Sequence, residues 1–186
     1  MKIYIKNMVC DRCKMVVDSE LKSLGLYPCL VELGEVEIEE NISVEKKIEL
    51  SMRLKGLGFE LLDDKKSQLV ERIKNKLVDL VHNKNGELKV NLSDFLSDGL
   101  HHDYGYLSNL FSEETGSTIE KYFIAQKIEK VKEWLVYDEL SLSEIAFRLN
   151  YSSVSHLSSQ FKRVTGLSPS HFKKNRENRR KPLDRI

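Results

Sequence analysis

The stretch Leu107–Gly116, LSNLFSEETG, returns further along the chain as Leu157–Gly166, LSSQFKRVTG. Leu107, Leu110, Phe111, Glu114, Thr115 and Gly116 stand in register with Leu157, Gln160, Phe161, Val164, Thr165 and Gly166, and both copies close on FxxxTG. Apolar residues at this spacing share one face of a helix, and a glycine after the last of them ends it. On that spacing Leu157, Phe161 and Val164 are expected in the core. A shorter helix precedes each copy, opened by Asn91-Leu92-Ser93-Asp94 in the first case and spanning 141–149 in the second. Between the copies, Ser117-Thr118 caps a long helix carrying Tyr122, Ile124, Ile128, Val131 and Leu135. Two short-helix, turn, helix units, about 91–116 and 141–166, joined by a long helix, make a duplicated helix-turn-helix. Taken as residues 118–136, the joining helix is about 28 Å long at 1.5 Å per residue.

Working outward, Leu69, Ile73, Leu77, Leu80 and Val81 predict a helix over 66–83, followed by a break at Asn85-Gly86. Asn150-Tyr151-Ser152 is the turn of the second unit, and Ser168-Pro169 starts a last short helix. Residues 65–186 therefore read as an all-α domain. Leu142-Ser143-Glu144-Ile145-Ala146, Phe161-Lys162, Gly166-Leu167-Ser168-Pro169-Ser170 and Phe172 resemble the signature of the AraC family of transcription regulators, and the resemblance covers most of 66–175. It implies double-stranded DNA as partner, read in the major groove by the exposed faces of 104–113 and 153–163. A joining helix of about 28 Å suits the roughly 34 Å between successive major-groove faces. The candidate DNA-contacting residues are Tyr104, Tyr106, Ser108 and Asn109 on the first helix, and Ser153, Ser155, His156, Ser159, Lys162 and Arg163 on the second. Hydroxyls, imidazole and cations suit base edges and phosphates, and asparagine pairs bidentately with adenine. Four positions depart from the family pattern. Glu113-Glu114 stand where relatives carry basic residues, Lys127 where an arginine is usual, and Asn150 where a glycine is common, so specificity is expected to rest on the second unit.

Residues 1–64 follow a different pattern. Lys2–Lys6 alternates as a strand, and Val16, Val17, Leu21 and Leu24 mark a helix that Gly25 stops. Leu30–Leu33 and Val36–Ile38 flank Gly34 as a hairpin. Ser43 caps a helix through Ile48, Leu50, Met52 and Leu54, and Phe59–Leu62 makes a final strand. The order βαββαβ is the ferredoxin-like, α+β arrangement. Its first loop holds Met8-Val9-Cys10-Asp11-Arg12-Cys13, two cysteines three apart at a helix start, where the helix N-terminus favours thiolate. Together with Leu57-Gly58-Phe59, this loop resembles the heavy-metal-associated domain of copper chaperones and metal-pumping ATPases. The resemblance implies that Cys10 and Cys13 are metal ligands, that Met8 packs inward and that Phe59 lies beside the site. Asn7 stands where that family has glycine, and Asp11-Arg12 is a charged insert. Soft thiolates favour Cu(I) or Ag(I), with Zn(II) only if further ligands are recruited. Cys29 belongs to the opposite end of the sheet and is expected as a partly buried thiol.

Size and missing partners argue against a thioredoxin-type redox motif, a zinc finger and a thiol oxidoreductase. About 64 residues is short for a thioredoxin fold, the first histidine after Cys13 is His82, and no base or resolving partner accompanies the cysteine pair, so no enzyme is expected. The competing reading keeps the DNA reader and makes the first domain a dimerisation or partner surface. Net charge is +1, but residues 1–64 hold 9 Lys/Arg against 13 Asp/Glu, whereas 162–186 hold 9 against 2, a basic C-terminal tail. That gradient places phosphate-neutralising charge at one end of the chain. No apolar run is long enough to span a bilayer and no cleavable leader is visible, so a cytoplasmic regulator is expected. Its expected contacts are DNA, RNA polymerase and a second copy as homodimer, and the His101-His102 pair is assigned no role.

Overall fold

The computed structural model describes residues 1–84, 90–174 and 180–186. The Asn85-Gly86 break and residues 175–179 of the basic tail lie outside the described residues. The chain forms two compact units, Met1–Asn75 and Lys76–Ile186.

In the first unit the elements run β1 (Lys2–Lys6), α1 (Asp11–Ser23), β2 (Pro28–Glu32), β3 (Glu35–Ile38), α2 (Val44–Gly56) and β4 (Glu60–Leu62). The strands form a four-stranded antiparallel sheet in the order β2-β3-β1-β4. Its core holds Ile3, Ile5, Met8, Val17, Leu21 and Phe59, among others, so Met8 packs inward as expected. Only part of each helix's apolar set is buried: Val17 and Leu21 on α1, Leu50 and Leu54 on α2. Val16, Ile48 and Met52 are exposed. The reason is angular, since residues two apart on a helix differ by about 200° and Ile48 and Leu50 cannot share a face. Ser43 caps α2, accepting from Lys46 N–H at 3.3 Å.

The helix α3 (Lys65–His82) starts in the first unit and ends in the second. The domain boundary therefore falls eleven residues later than 64, because α3 side chains bond the first unit. Asn75 Nδ2 donates to Leu33 O at 3.1 Å, and Glu71 accepts from the Asn7 N–H at 2.9 Å.

The second unit continues with α4 (Leu92–Leu100), α5 (Tyr104–Thr115), α6 (Ile119–Tyr137), α7 (Leu142–Arg148), α8 (Val154–Thr165) and α9 (Pro169–Lys174). The sequence repeat is repeated in atoms. Thr115 Oγ1 donates to Phe111 O at 2.7 Å and lies 3.2 Å from Ser117 O; Thr165 Oγ1 donates to Phe161 O at 2.8 Å and lies 3.1 Å from Leu167 O. The Phe111 ring meets Tyr122 edge-on at 5.7 Å, and the Phe161 ring meets Phe172 edge-on at 5.5 Å. Gly116 and Gly166 end α5 and α8 at φ of 68° and 79°, where a side chain would strain the backbone. The core expectation fails at Val164, which is 47% exposed beside fully buried Leu157 and Phe161. Among the described residues no helix is long and apolar enough to cross a membrane.

Candidate nucleic-acid interface and thiol pair

The second helix-turn-helix is built from local chemistry. Ser141 and Glu144 close a capping box at the start of α7, and Ser153 accepts from His156 N–H at 3.1 Å at the start of α8. Asn150 takes φ 55° in the turn between them, which accounts for its standing in place of glycine. At about 100° per residue, Ser155, His156, Ser159, Lys162 and Arg163 fall within a sector of about 120° on α8. All five are exposed. His156 Nδ1 lies 3.0 Å from Ser152 Oγ and its ring meets Tyr151 edge-on at 5.3 Å, which fixes the imidazole at the head of that face.

Carried onto α5 through the repeat, the same sector comprises Gly105, Tyr106, Asn109, Ser112 and Glu113. Tyr106 and Asn109 are exposed there as expected. Tyr104 and Ser108 are not on it. Tyr104 donates its hydroxyl to Glu120, and burial, with the Glu120 carboxylate adding to it, holds the phenol above its usual pKa; Ser108 is half-buried. The two faces differ in sign, Lys162 and Arg163 on α8 against Glu113 and no cation on α5.

Lys127 of α6 sets the placement of α8. Its ammonium donates to Leu149 O at 2.7 Å and stands over the Phe123 and Tyr151 rings at 4.8 and 5.0 Å. Tyr151 in turn donates to Gln160 of α8 at 2.6 Å. The joining helix is thereby fastened to the second turn and to the helix after it. Burial pushes the Lys127 pKa down to about 8. In the unfolded chain it titrates near 10.4, so between these values the unfolded state binds more protons and stability rises with pH. Relative to Lys127→Met, the wild type is expected to gain up to about 1 kcal/mol per pH unit between pH 8 and 9.5. Urea unfolding across that range checks it, and parallel curves refute the assignment.

The thiol pair sits in the first unit. Cys10 is the N-cap of α1 and Cys13 lies in its first turn, with the two sulfurs 3.4 Å apart and both half-buried. Burial pushes the Cys13 thiol up, and the hydrogen bond with Cys10 adds to it, so the helix N-terminus does not prevail there. Asn7 takes φ 73°, a conformation asparagine tolerates in place of glycine, and its Nδ2 donates to Gly58 O at 2.8 Å. Phe59 shares the buried cluster that Cys13 packs against. Cys29 is exposed rather than partly buried because β2 is an edge strand, and its register near Ile38 places it at the end of the sheet away from the loop. Among the described residues no group of three or more His, Cys, Asp or Glu converges on a metal position. His101 and His102 are exposed, His101 as the left-handed cap of α4.

Sequence reasoning missed Glu71 and Asn75, buried polar residues one turn apart on the amphipathic helix α3. The helix carries other polar i, i+4 pairs, such as Gln68 with Arg72, so local spacing gave no signal for this one. The same reasoning also missed Asp103, which caps α5 through Gly105 and Tyr106 N–H.

Residues 96–175 match the family described as "Helix-turn-helix domain". The uncharacterized transcriptional regulatory protein YesN of Bacillus subtilis (strain 168) is 34% identical over 71 residues, 37% of this chain and 19% of that protein. The xylose operon regulatory protein of Escherichia coli (strain K12) is 33% identical over 67 residues, 36% of this chain and 17% of that protein. The chain thus spans less than a fifth of the length of these relatives. Among solved structures, the C-terminal domain of AraT, a response regulator from Geobacillus stearothermophilus, is 26% identical with a TM-score of 0.52, over 61% of this chain and 89% of that one. The segment 96–175 of this chain is a helix-turn-helix domain.

Proposed function

We propose that the chain is a sequence-specific, DNA-binding transcription regulator whose first unit responds to a soft metal ion held by Cys10 and Cys13. The observation that carries the DNA reading is the exposed face of α8, where Ser155, His156, Ser159, Lys162 and Arg163 share one sector above a core-packed Leu157 and Phe161. α8 is the main reader, since its face bears two cations and the α5 face bears none.

The metal reading is supported by the donor set and by the fold. The strand order and pairing of the first unit fit the ferredoxin-like arrangement, and the loop Met8-x-Cys10-x-x-Cys13 fits the heavy-metal-associated type. Metal–sulfur bonds of about 2.3 Å span sulfur separations up to about 4.6 Å, so two sulfurs 3.4 Å apart reach one ion. Two thiolates suit Cu(I) or Ag(I). Tetrahedral Zn(II) needs two further ligands that the described residues do not group at the pair. Bound metal displaces the thiol protons, including the one burial favours on Cys13. The output is altered DNA affinity or altered contact with RNA polymerase.

A second reading makes the first unit a dimerisation surface, and the exposed stripe Val44, Ile48 and Met52 along one face of α2 favours it. Mobility-shift titration of a selected duplex with and without Cu(I), Ag(I) and Zn(II) separates the two. Cu(I) is expected to change affinity by about tenfold, within the usual range of coupling energies, and the change is expected to vanish in Cys10→Ser with Cys13→Ser. Identical curves, with unchanged transcription from the bound promoter, leave the dimerisation reading.

A further inference from the structure

The thiol loop is fastened from outside the sheet. Asn7, which leads into it, is held at φ 73° by two bonds. Its side chain donates to Gly58 O at 2.8 Å, and its backbone N–H donates to Glu71 Oε1 at 2.9 Å. Met8 follows at once and is fully buried, so the loop has little slack between its anchor in the core and Cys10. Glu71 is itself buried on α3, where burial pushes its carboxyl pKa up and the bond from the Asn7 N–H opposes that shift. One turn further along α3, Asn75 bonds Leu33 O in the β2–β3 turn, where Gly34 has no Cβ; a Cβ there would fall 2.0 Å from the Asn75 amide nitrogen.

We infer that Glu71 is a positioning residue that ties the conformation of the Cys10–Cys13 loop to α3, so that a change at the sulfurs is transmitted to α3 through Asn7. Asn75 fixes α3 to the β2–β3 turn, at the same end of the sheet as the thiol loop, while Glu71 fixes it to the backbone that leads directly into that loop and must adjust when the sulfurs take up a ligand. The two fasteners set the first unit's hold on α3, and one of them depends on the state of the thiols. The inference rests on the proposed metal response only for the natural trigger.

Amide hydrogen exchange of the full chain, in a Cys29→Ser background, tests it. The thiols are compared free, loaded with Cu(I), and alkylated with iodoacetamide. In the wild type, both treatments are expected to change exchange over residues 69–75 by roughly fivefold, the worth of about one hydrogen bond. Glu71→Ala is expected to abolish the change over 69–75 while leaving the change in the loop itself, and Glu71→Gln, which still accepts from Asn7 N–H, is expected to keep it. Thermal unfolding checks that both variants fold. If Glu71→Ala does not fold, the wild-type and Glu71→Gln comparisons still decide. A wild-type α3 indifferent to alkylation, or an unaltered response in a folded Glu71→Ala, overturns the inference. A response to alkylation without Cu(I) uptake keeps the tie and removes the metal reading.

Discussion

Ser159→Glu combined with Arg163→Glu is expected to lower affinity for the target duplex by about a thousandfold at low ionic strength. Both residues are exposed on the α8 sector, so their replacement leaves the core intact. The double change removes one cation and places two carboxylates where the phosphates and base edges approach, which opposes the electrostatic term supplying most of nonspecific affinity. The salt dependence is expected to become shallower by about one unit of log–log slope for the lost cation contact. The control lies on α5, where Asn109→Glu adds a carboxylate to a face that already carries Glu113, and about tenfold is expected there because fewer contacts are at stake. Fluorescence anisotropy with a duplex selected from random sequence reads both. Wild-type affinity in the α8 variant would move the reading surface elsewhere on the molecule.

What the sequence revealed and what it withheld follow from the range of the interactions. The repeated FxxxTG was legible because its physics is local: a threonine bonding back to the carbonyl four residues earlier, and a glycine at positive φ directly after it. The order of elements in the first unit was legible for the same reason, through Gly25, Gly34, Ser43 and the alternation in β1. The choice between two apolar faces of one helix was not. Ile48 and Met52 are as apolar as Leu50 and Leu54, and only the tertiary position of α2 over the sheet decides which pair is covered. Val164 was misplaced by the same ambiguity at the end of α8. Its repeat mate is Glu114, and a glutamate there was a sign that the position faces water. Glu71 was out of reach of local rules altogether, since its partner is sixty-four residues away. The departures at Asn7 and Asn150 were visible as departures, but their cause, a left-handed backbone that asparagine tolerates, needed the dihedral angles.

Phe161→Ala is expected to destabilise the second unit by about 3–5 kcal/mol, whereas Phe147→Ala is expected to change stability by less than about 0.5 kcal/mol. The two residues are fourteen positions apart in the same helix-turn-helix. Phe161 is fully buried, meets the Phe172 ring edge-on at 5.5 Å and gives its carbonyl to Thr165, so truncation opens a cavity that the rigid α8–α9 junction cannot close. Phe147, on α7, is 86% exposed and leaves its surroundings unchanged when removed. Against a total stability of about 5–15 kcal/mol, the Phe161 loss depopulates the folded unit enough for DNA binding to fall with it. Urea unfolding of the two variants reads the contrast, and equal midpoints would refute the burial assigned to α8. Phe111 is equally buried and meets Tyr122 in the same edge-on geometry at 5.7 Å, so Phe111→Ala is expected to cost as much as Phe161→Ala. Equal losses at both positions mean that the two halves are duplicated in their packing energy as well as in their backbone, and that the difference between them as DNA readers resides on the exposed faces of α5 and α8.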